Sequence, residues 1–209
     1  MKVLGVVGSK RKNGNTATMV RETLNTIEKE GLETELIFLG DYNINSCNGC
    51  EGCRETFKCV VRDDMQKVYP SLLAADALVL GSPTYFYNIS SDMKAFIERC
   101  YPYEIFAEDD RSVWMSINEA RGIKYAVAIA ICEQYAREDM GFTVEAMTKP
   151  LEALGYRVVD AVGVLGAFKQ GDVLKQNSAL EQARQAGEKL AKTLKLRKSV
   201  EEKLAKINV

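Results

Sequence analysis

The 209-residue chain contains no histidine. That removes Ser-His and Cys-His nucleophilic mechanisms, His-held zinc and haem, and the commonest general base near neutral pH. An excess of either charge is also lacking. Lys plus Arg number 28 against 29 Asp plus Glu, a formal net charge of −1. No strong field therefore recruits nucleic acid or an anionic membrane surface. No apolar run approaches the roughly 20 residues that span a bilayer. The opening MKVLGVVGS reads as a first strand and not as a signal peptide. The expectation is a cytoplasmic protein with neither nucleic acid nor membrane as a partner. Internal repeats, low-complexity stretches and linkers are missing too, so the length fits one α/β domain with a well-buried core.

Apolar runs at residues 2–8, 34–39, 77–81, 125–131 and 157–165 read as strands. The fourth, YAVAIAI, is apolar throughout, as expected for a strand buried on both faces. Helical periodicity falls at about 15–30, 64–74, 90–101, 143–154 and 176–196, and 199–207 extends the last. Asp63 and Asp64 are placed to cap the second helix. Strands alternating with helices imply a parallel sheet with right-handed crossovers. The expected fold is α/β and flavodoxin-like: five parallel strands in the order 2-1-3-4-5, with helices on both faces. The segment 104–122 is irregular and polar, and is expected to serve as a flap or an oligomer contact.

The first strand ends in GSKRKNGNT, residues 8–16, and runs into a helix. Such a loop aims backbone N–H groups, hydroxyls and a helix dipole at one point, which suits a phosphate dianion. Ser9, Asn13, Asn15 and Thr16 are the short polar candidates, and Arg11 adds a charged one. The nucleoside-triphosphate loop G-x-x-x-x-G-K-[ST] and the dinucleotide fingerprint G-x-G-x-x-G are both absent. After the third strand comes GSPTYFYN, residues 81–88. In the proposed strand order the first and third strands flank the topological switch point, where ligands bind in open α/β sheets. Pro83, Thr84, Tyr85, Phe86 and Asn88 are therefore expected to frame a flat heterocycle. The two loops together suggest FMN. Taken alone, the first loop is also consistent with a plain solvated turn, and the second with aromatics that simply cover the end of the sheet.

Cys47, Cys50, Cys53 and Cys59 fall within CNGCEGCRETFKC, a C-x2-C-x2-C-x5-C run. Three thiols at two-residue intervals cannot share one face of a helix or strand, but a tight loop can wrap them around an inorganic centre. Ferredoxin runs share the C-x2-C-x2-C start, with the fourth cysteine at a different spacing. Zinc sites usually pair two C-x2-C knuckles across a longer gap. The spacing favours a [4Fe–4S] cluster, with zinc and free or disulfide-bonded thiols as the alternatives. Cys100 and Cys132 lie outside the run and read as small buried hydrophobes.

These motifs, with DDM at 63–65 and the longer run GSPTYFYNISSDMKAFIER at 81–99, resemble the iron–sulfur flavoproteins. That group is a branch of the NAD(P)H-dependent FMN reductases, and the resemblance covers roughly residues 1–195. It implies a flavin-dependent oxidoreductase with FMN held by the residues named above. It also implies a [4Fe–4S] cluster on Cys47, Cys50, Cys53 and Cys59. Electrons would pass between a one-electron carrier such as ferredoxin, or NAD(P)H, and a small electron acceptor. No protein side chain is expected to act as a catalytic acid or base. Assembly as a homodimer or homotetramer is a further implication. The expected organisation is an FMN-binding domain over 1–196, with its cysteine loop at 43–62, and a C-terminal helical extension over 197–209. One departure stands out: relatives often carry a Gly-rich loop after the fourth strand, whereas residues 132–141 here are bulky and charged. Tyr135 in that segment is a candidate for stacking near the flavin ring.

Overall fold

The structure is a computed structural model and describes residues 1–207. The chain forms, in order, β1 (Lys2–Val7), α1 (Asn15–Lys29), β2 (Glu33–Phe38), α2 (Met65–Ala74), β3 (Ala77–Pro83) and α3 (Ser91–Glu98). There follow β4 (Glu104–Phe106), β5 (Trp114–Ser116), α4 (Ile117–Arg121), β6 (Lys124–Ile131), α5 (Glu145–Ala153), β7 (Tyr156–Val164) and α6 (Asn177–Lys206). The main sheet has the order β2-β1-β3-β6-β7, parallel throughout. Counting only its own strands, that is the expected 2-1-3-4-5 arrangement.

Successive residues of a strand face opposite sides, and each side here has its own core. Leu4, Val6, Leu78 and Leu80 pack with residues of α2, α3 and α5. Val3, Val7, Val79 and Val127 pack with α1 and α6. The inner strands β1, β3 and β6 are therefore apolar on both faces, whereas β7 at the edge alternates buried and exposed positions. Among the described residues no helix is long and apolar enough to cross a membrane.

Two elements and one cap differ from the expectation. Residues 104–122 are ordered: β4 and β5 make an antiparallel hairpin, and α4 follows with Ser116 and Glu119 as a reciprocal capping box. The strands are too short for periodicity to reveal them. The third helix stops at Glu98, and a 3-10 turn over Tyr101–Tyr103 takes Pro102 at its start. The last helix runs unbroken to Lys206, in line with the expectation that 199–207 extends it. Residues 208–209 of the expected 197–209 extension lie outside the described residues. At α2 it is Asp63, not Asp64, whose carboxylate accepts a backbone N–H of the first turn, from Met65 at 3.0 Å. Asp64 instead accepts from Asn43 N–H at 2.8 Å.

Candidate functional site

A cleft of about 460 Å3 opens at the carboxyl ends of β1 and β3. The two tips are adjacent: Gly8 N–H donates to Gly81 O at 2.8 Å. Ser90 Oγ donates to Gly8 O at 2.6 Å and accepts from Met93 N–H at 3.2 Å, so the cap of α3 also pins the end of β1. Ser9, Arg11, Asn15, Thr16, Pro83, Thr84, Tyr85 and Phe86 all line the cleft. The structure thus brings together eight of the ten residues expected to hold the flavin. Asn13 and Asn88 are not in the lining.

Each side of the cleft has a distinct character. On the first, α1 is preceded by Gly14 at its capping position, which carries no side-chain cap. The leading N–H groups of that helix are left for an anion, the usual preference of a helix N-terminus. The Asn15 side chain does not face such an anion. Its amide donates to Lys169 O at 2.9 Å, and its oxygen accepts from Gly171 N–H at 3.1 Å and Val173 N–H at 3.4 Å. It therefore tethers the loop after β7, and only its backbone remains for a ligand. Arg11 lies across the Phe168 ring at 5.5 Å and donates to Phe168 O at 3.2 Å.

On the other side, the Thr84 hydroxyl oxygen is buried without a hydrogen-bond partner. An unpaired buried hydroxyl is uncommon and invites a ligand. Phe86 and Tyr87 have φ of +46° and +64°, and Tyr85 and Asn88 exchange backbone hydrogen bonds of 2.8 and 3.1 Å around them. This is a two-residue hairpin with both central residues left-handed, where Asn-Gly is the unstrained choice. Asn88 serves this turn, its side-chain oxygen accepting from Ile89 N–H at 2.8 Å. Phe86 stands almost fully exposed, 99 %, at the mouth of the cleft. Gly141, at φ +54°, lets the turn rest against it, because a Cβ there would meet Tyr87.

Sequence reasoning missed Ile131, Glu133, Ala167, Phe168 and Gln170, which close the cleft. They follow or end β6 and β7, and only the position of those strand ends could have marked them. Two positive-φ glycines, Gly166 and Gly171, follow β7 beside the lining residues Ala167, Phe168 and Gln170, whereas the segment after β6 carries only Gly141. Tyr135 is 85 % exposed and lies over Gly166, outside the cleft lining. A second hollow of about 230 Å3 adjoins and shares Thr84, Phe86 and Glu133 with the first.

The four clustered cysteines line one small cavity with Glu98, Arg99, Tyr101 and Pro102. The cleft lies where α3 begins and this cavity where it ends, and an eight-residue helix rises about 12 Å. Cys53 is buried, Cys50 exposed, Cys47 and Cys59 between, and all are free thiols. Among the described residues no three His, Cys, Asp or Glu groups converge on the position of a single metal ion. The gap between the cysteines is about 10 Å3, room for no more than one water. The same sulfurs must spread apart to enclose anything larger. Burial, with the other three thiols, pushes the Cys53 thiol up.

Arg99 forms the floor of this cavity. Its side chain is fully buried and pairs with Asp63 at 2.5 Å. It also donates to Asn45 O at 3.0 Å, while its Nε–H has no partner. Burial opposes both charges of the pair. The Arg99 guanidinium and the backbone N–H groups of Asn45 and Met65 nevertheless hold the Asp63 carboxyl below its usual range. Cys100, buried behind this layer, has its thiol pushed up to about 12 by burial and the Glu104 carboxylate. Cys132 is likewise buried, at the end of β6.

The sheet order and the cleft at its switch point define a flavodoxin-like α/β protein. The NADPH-dependent FMN reductase family model matches residues 1–165, and the chain belongs to that family. It is 45 % identical over 105 residues to an iron-sulfur flavoprotein of Methanocaldococcus jannaschii, covering 50 % of this chain and 54 % of that one. It is 40 % identical over 103 residues to an iron-sulfur flavoprotein of Archaeoglobus fulgidus, covering 49 % and 47 %. The chain therefore spans about half the length of the curated relatives it matches. Among solved structures, a flavodoxin from the domain Archaea superposes with a TM-score of 0.57 at 16 % identity, over 93 % of this chain and 99 % of that one.

Proposed function

We propose that the chain is a flavin-dependent oxidoreductase that binds FMN in the cleft and a [4Fe–4S] cluster on Cys47, Cys50, Cys53 and Cys59. In this reading residues 1–196 are the FMN-binding unit, with the cysteine loop at 43–62. The observation that carries it is a single cleft lined both by the uncapped start of α1 and by Thr84, whose buried hydroxyl has no partner. One side offers an anion site and the other a buried polar atom beside exposed aromatics, which suits a planar ring bearing one phosphate. When bound, FMN supplies two-electron transfer and the cluster single electrons. Ser9, Arg11 and the N–H groups of Asn15 and Thr16 bind the phosphate. Pro83, Thr84 and Tyr85 would orient the ring, with Phe86 at the mouth of the cleft. The adjoining hollow at Glu133 would give a small acceptor or a nicotinamide access to that mouth.

The cluster reading rests on the C-x2-C-x2-C-x5-C spacing, on the four thiols lining one cavity, and on the names of the relatives. A cluster held there would supply one-electron chemistry able to couple a carrier of the ferredoxin type to the flavin. The exposed Val113, Trp114 and Met115 of the β4–β5 hairpin support assembly as a homodimer or homotetramer. The family match and the closed gap between the cysteines favour a second reading, an NAD(P)H-dependent FMN, quinone or nitro-compound reductase without a cluster. Iron, sulfide and FMN counted in protein purified without air separate the two. The first reading requires about four irons and one flavin per chain. Flavin reduced rapidly by NAD(P)H in iron-free protein supports the second.

A further inference from the structure

We infer that the Asn15 side chain is a positioning residue for FMN: it clasps the loop 168–171 to the head of α1, and the opening of this clasp sets how fast the flavin leaves the cleft. This deepens the flavin reading above and rests on it.

Hydrogen bonds, more than packing, hold this loop in place. Ala167 and Val173 on either side of it are buried in the core, whereas Phe168, Lys169 and Gln170 between them are exposed. Asp172 braces the loop from within, its carboxylate accepting from Phe168 N–H at 3.2 Å and Lys169 N–H at 2.6 Å. Asn15 ties it across to α1. Its amide donates to Lys169 O at 2.9 Å, and its oxygen accepts from Gly171 N–H at 3.1 Å and Val173 N–H at 3.4 Å. Arg11 adds a further bond, donating to Phe168 O at 3.2 Å. Asn15 is itself buried, so its bonds are shielded from competition by water. Phe168 and Gln170 of this loop line the cleft.

One residue therefore joins two walls of the cleft. The backbone N–H of Asn15 belongs to the start of α1, and its side chain holds the loop after β7. A ligand that fills the cleft is enclosed by both, so loosening the loop opens one wall. Asn15→Ala keeps the backbone N–H, and with it the anion site, but frees the loop. Affinity lost that way appears in the dissociation rate more than in the association rate. An Asn15 side chain that bound the phosphate directly would act independently of the loop. A strain placed in the loop would then add to its loss in full, whereas residues of one clasp share a single loss.

The test is the rate of FMN release after dilution, followed by flavin fluorescence, in the full chain and in Asn15→Ala, Gly171→Ala and the double variant. Gly171 has φ +85°, so alanine strains the loop there while leaving the Asn15 side chain in place. Asn15→Ala releases FMN about tenfold faster, with an association rate within about twofold of the native one. Gly171→Ala shifts release in the same direction, and the double variant is no faster than the faster single one. In the ligand-free chain, hydrogen exchange at the Gly171 and Val173 amides accelerates in Asn15→Ala, while the amides of α6 keep their native protection. Release unchanged in Asn15→Ala, or effects of the two substitutions that multiply in full, overturn the inference while leaving FMN in the cleft. If Asn15→Ala does not fold, Gly171→Ala decides: faster release supports the clasp and native release overturns it. A native chain that binds no FMN overturns the flavin reading itself.

Discussion

Thr84 carries the sharpest claim at the level of single residues. Its hydroxyl is buried and unpaired without a ligand, so it costs stability until something bonds to it. Thr84→Val keeps the shape and removes the unpaired group. We expect unchanged or slightly higher thermal stability and FMN binding weaker by about 1 kcal/mol, measured by flavin fluorescence titration. Asp63 gives a pH signature. Its carboxyl titrates below the ordinary 3.8 in the folded chain, so the stability it contributes is present above that value and lost as pH falls through the lowered one. Asp63→Asn should cost about 3 kcal/mol at pH 7, by leaving Arg99 buried without its partner, and the deficit should shrink below about pH 4. Urea unfolding of both proteins from pH 7 to pH 3 checks this. Thr84 was legible as a site residue because Pro83 and the aromatics mark its loop. Arg99 was not: nothing in KAFIERC distinguishes a buried, paired arginine from the solvated end of a helix. Asn15 was assigned to the phosphate because its loop type suggests it. The structure turns the side chain toward Lys169 and Gly171 instead, a contact between residues more than 150 positions apart that no local pattern shows.

Among the elements, the hairpin over Tyr85–Asn88 sets a stability cost against a binding role. Two bulky residues in the left-handed region cost about 1 kcal/mol or more each. Replacing Phe86 and Tyr87 together by Asn and Gly should raise the melting temperature by a few degrees and weaken flavin binding, since Phe86 has little to lose by leaving its exposed position. A variant that is both less stable and equally tight in binding would contradict this account of the turn. The capping box of α4 offers a second check: Ser116→Ala should cost about 1 kcal/mol, read by chemical denaturation. That box was present in the sequence as S-x-x-E, but it sits in a segment whose strands are only three residues long. The long elements were legible because apolar runs and helical periodicity both extend over many residues. Helix ends were less so, as at Glu98, where Pro102 and the packing of Tyr103 against Tyr69 determine the path.

For the whole molecule, parallel strand order alone places the phosphate loop and the aromatic loop together, although some seventy residues separate them. That is why the cleft could be anticipated from two local motifs and a topology rule. Its remaining wall, from the ends of β6 and β7, comes from loops with no distinctive composition. The cysteine cavity sits at the far end of α3, so the two candidate centres share one short helix as a common support. The most direct measurement is a crystal structure of the chain loaded with FMN. The account predicts a phosphate on the N–H groups that open α1, beside Ser9 and Arg11, and a ring in contact with Thr84 Oγ1 and Tyr85. A flavin seated elsewhere on the molecule, or one that leaves Thr84 Oγ1 without a partner, would contradict it.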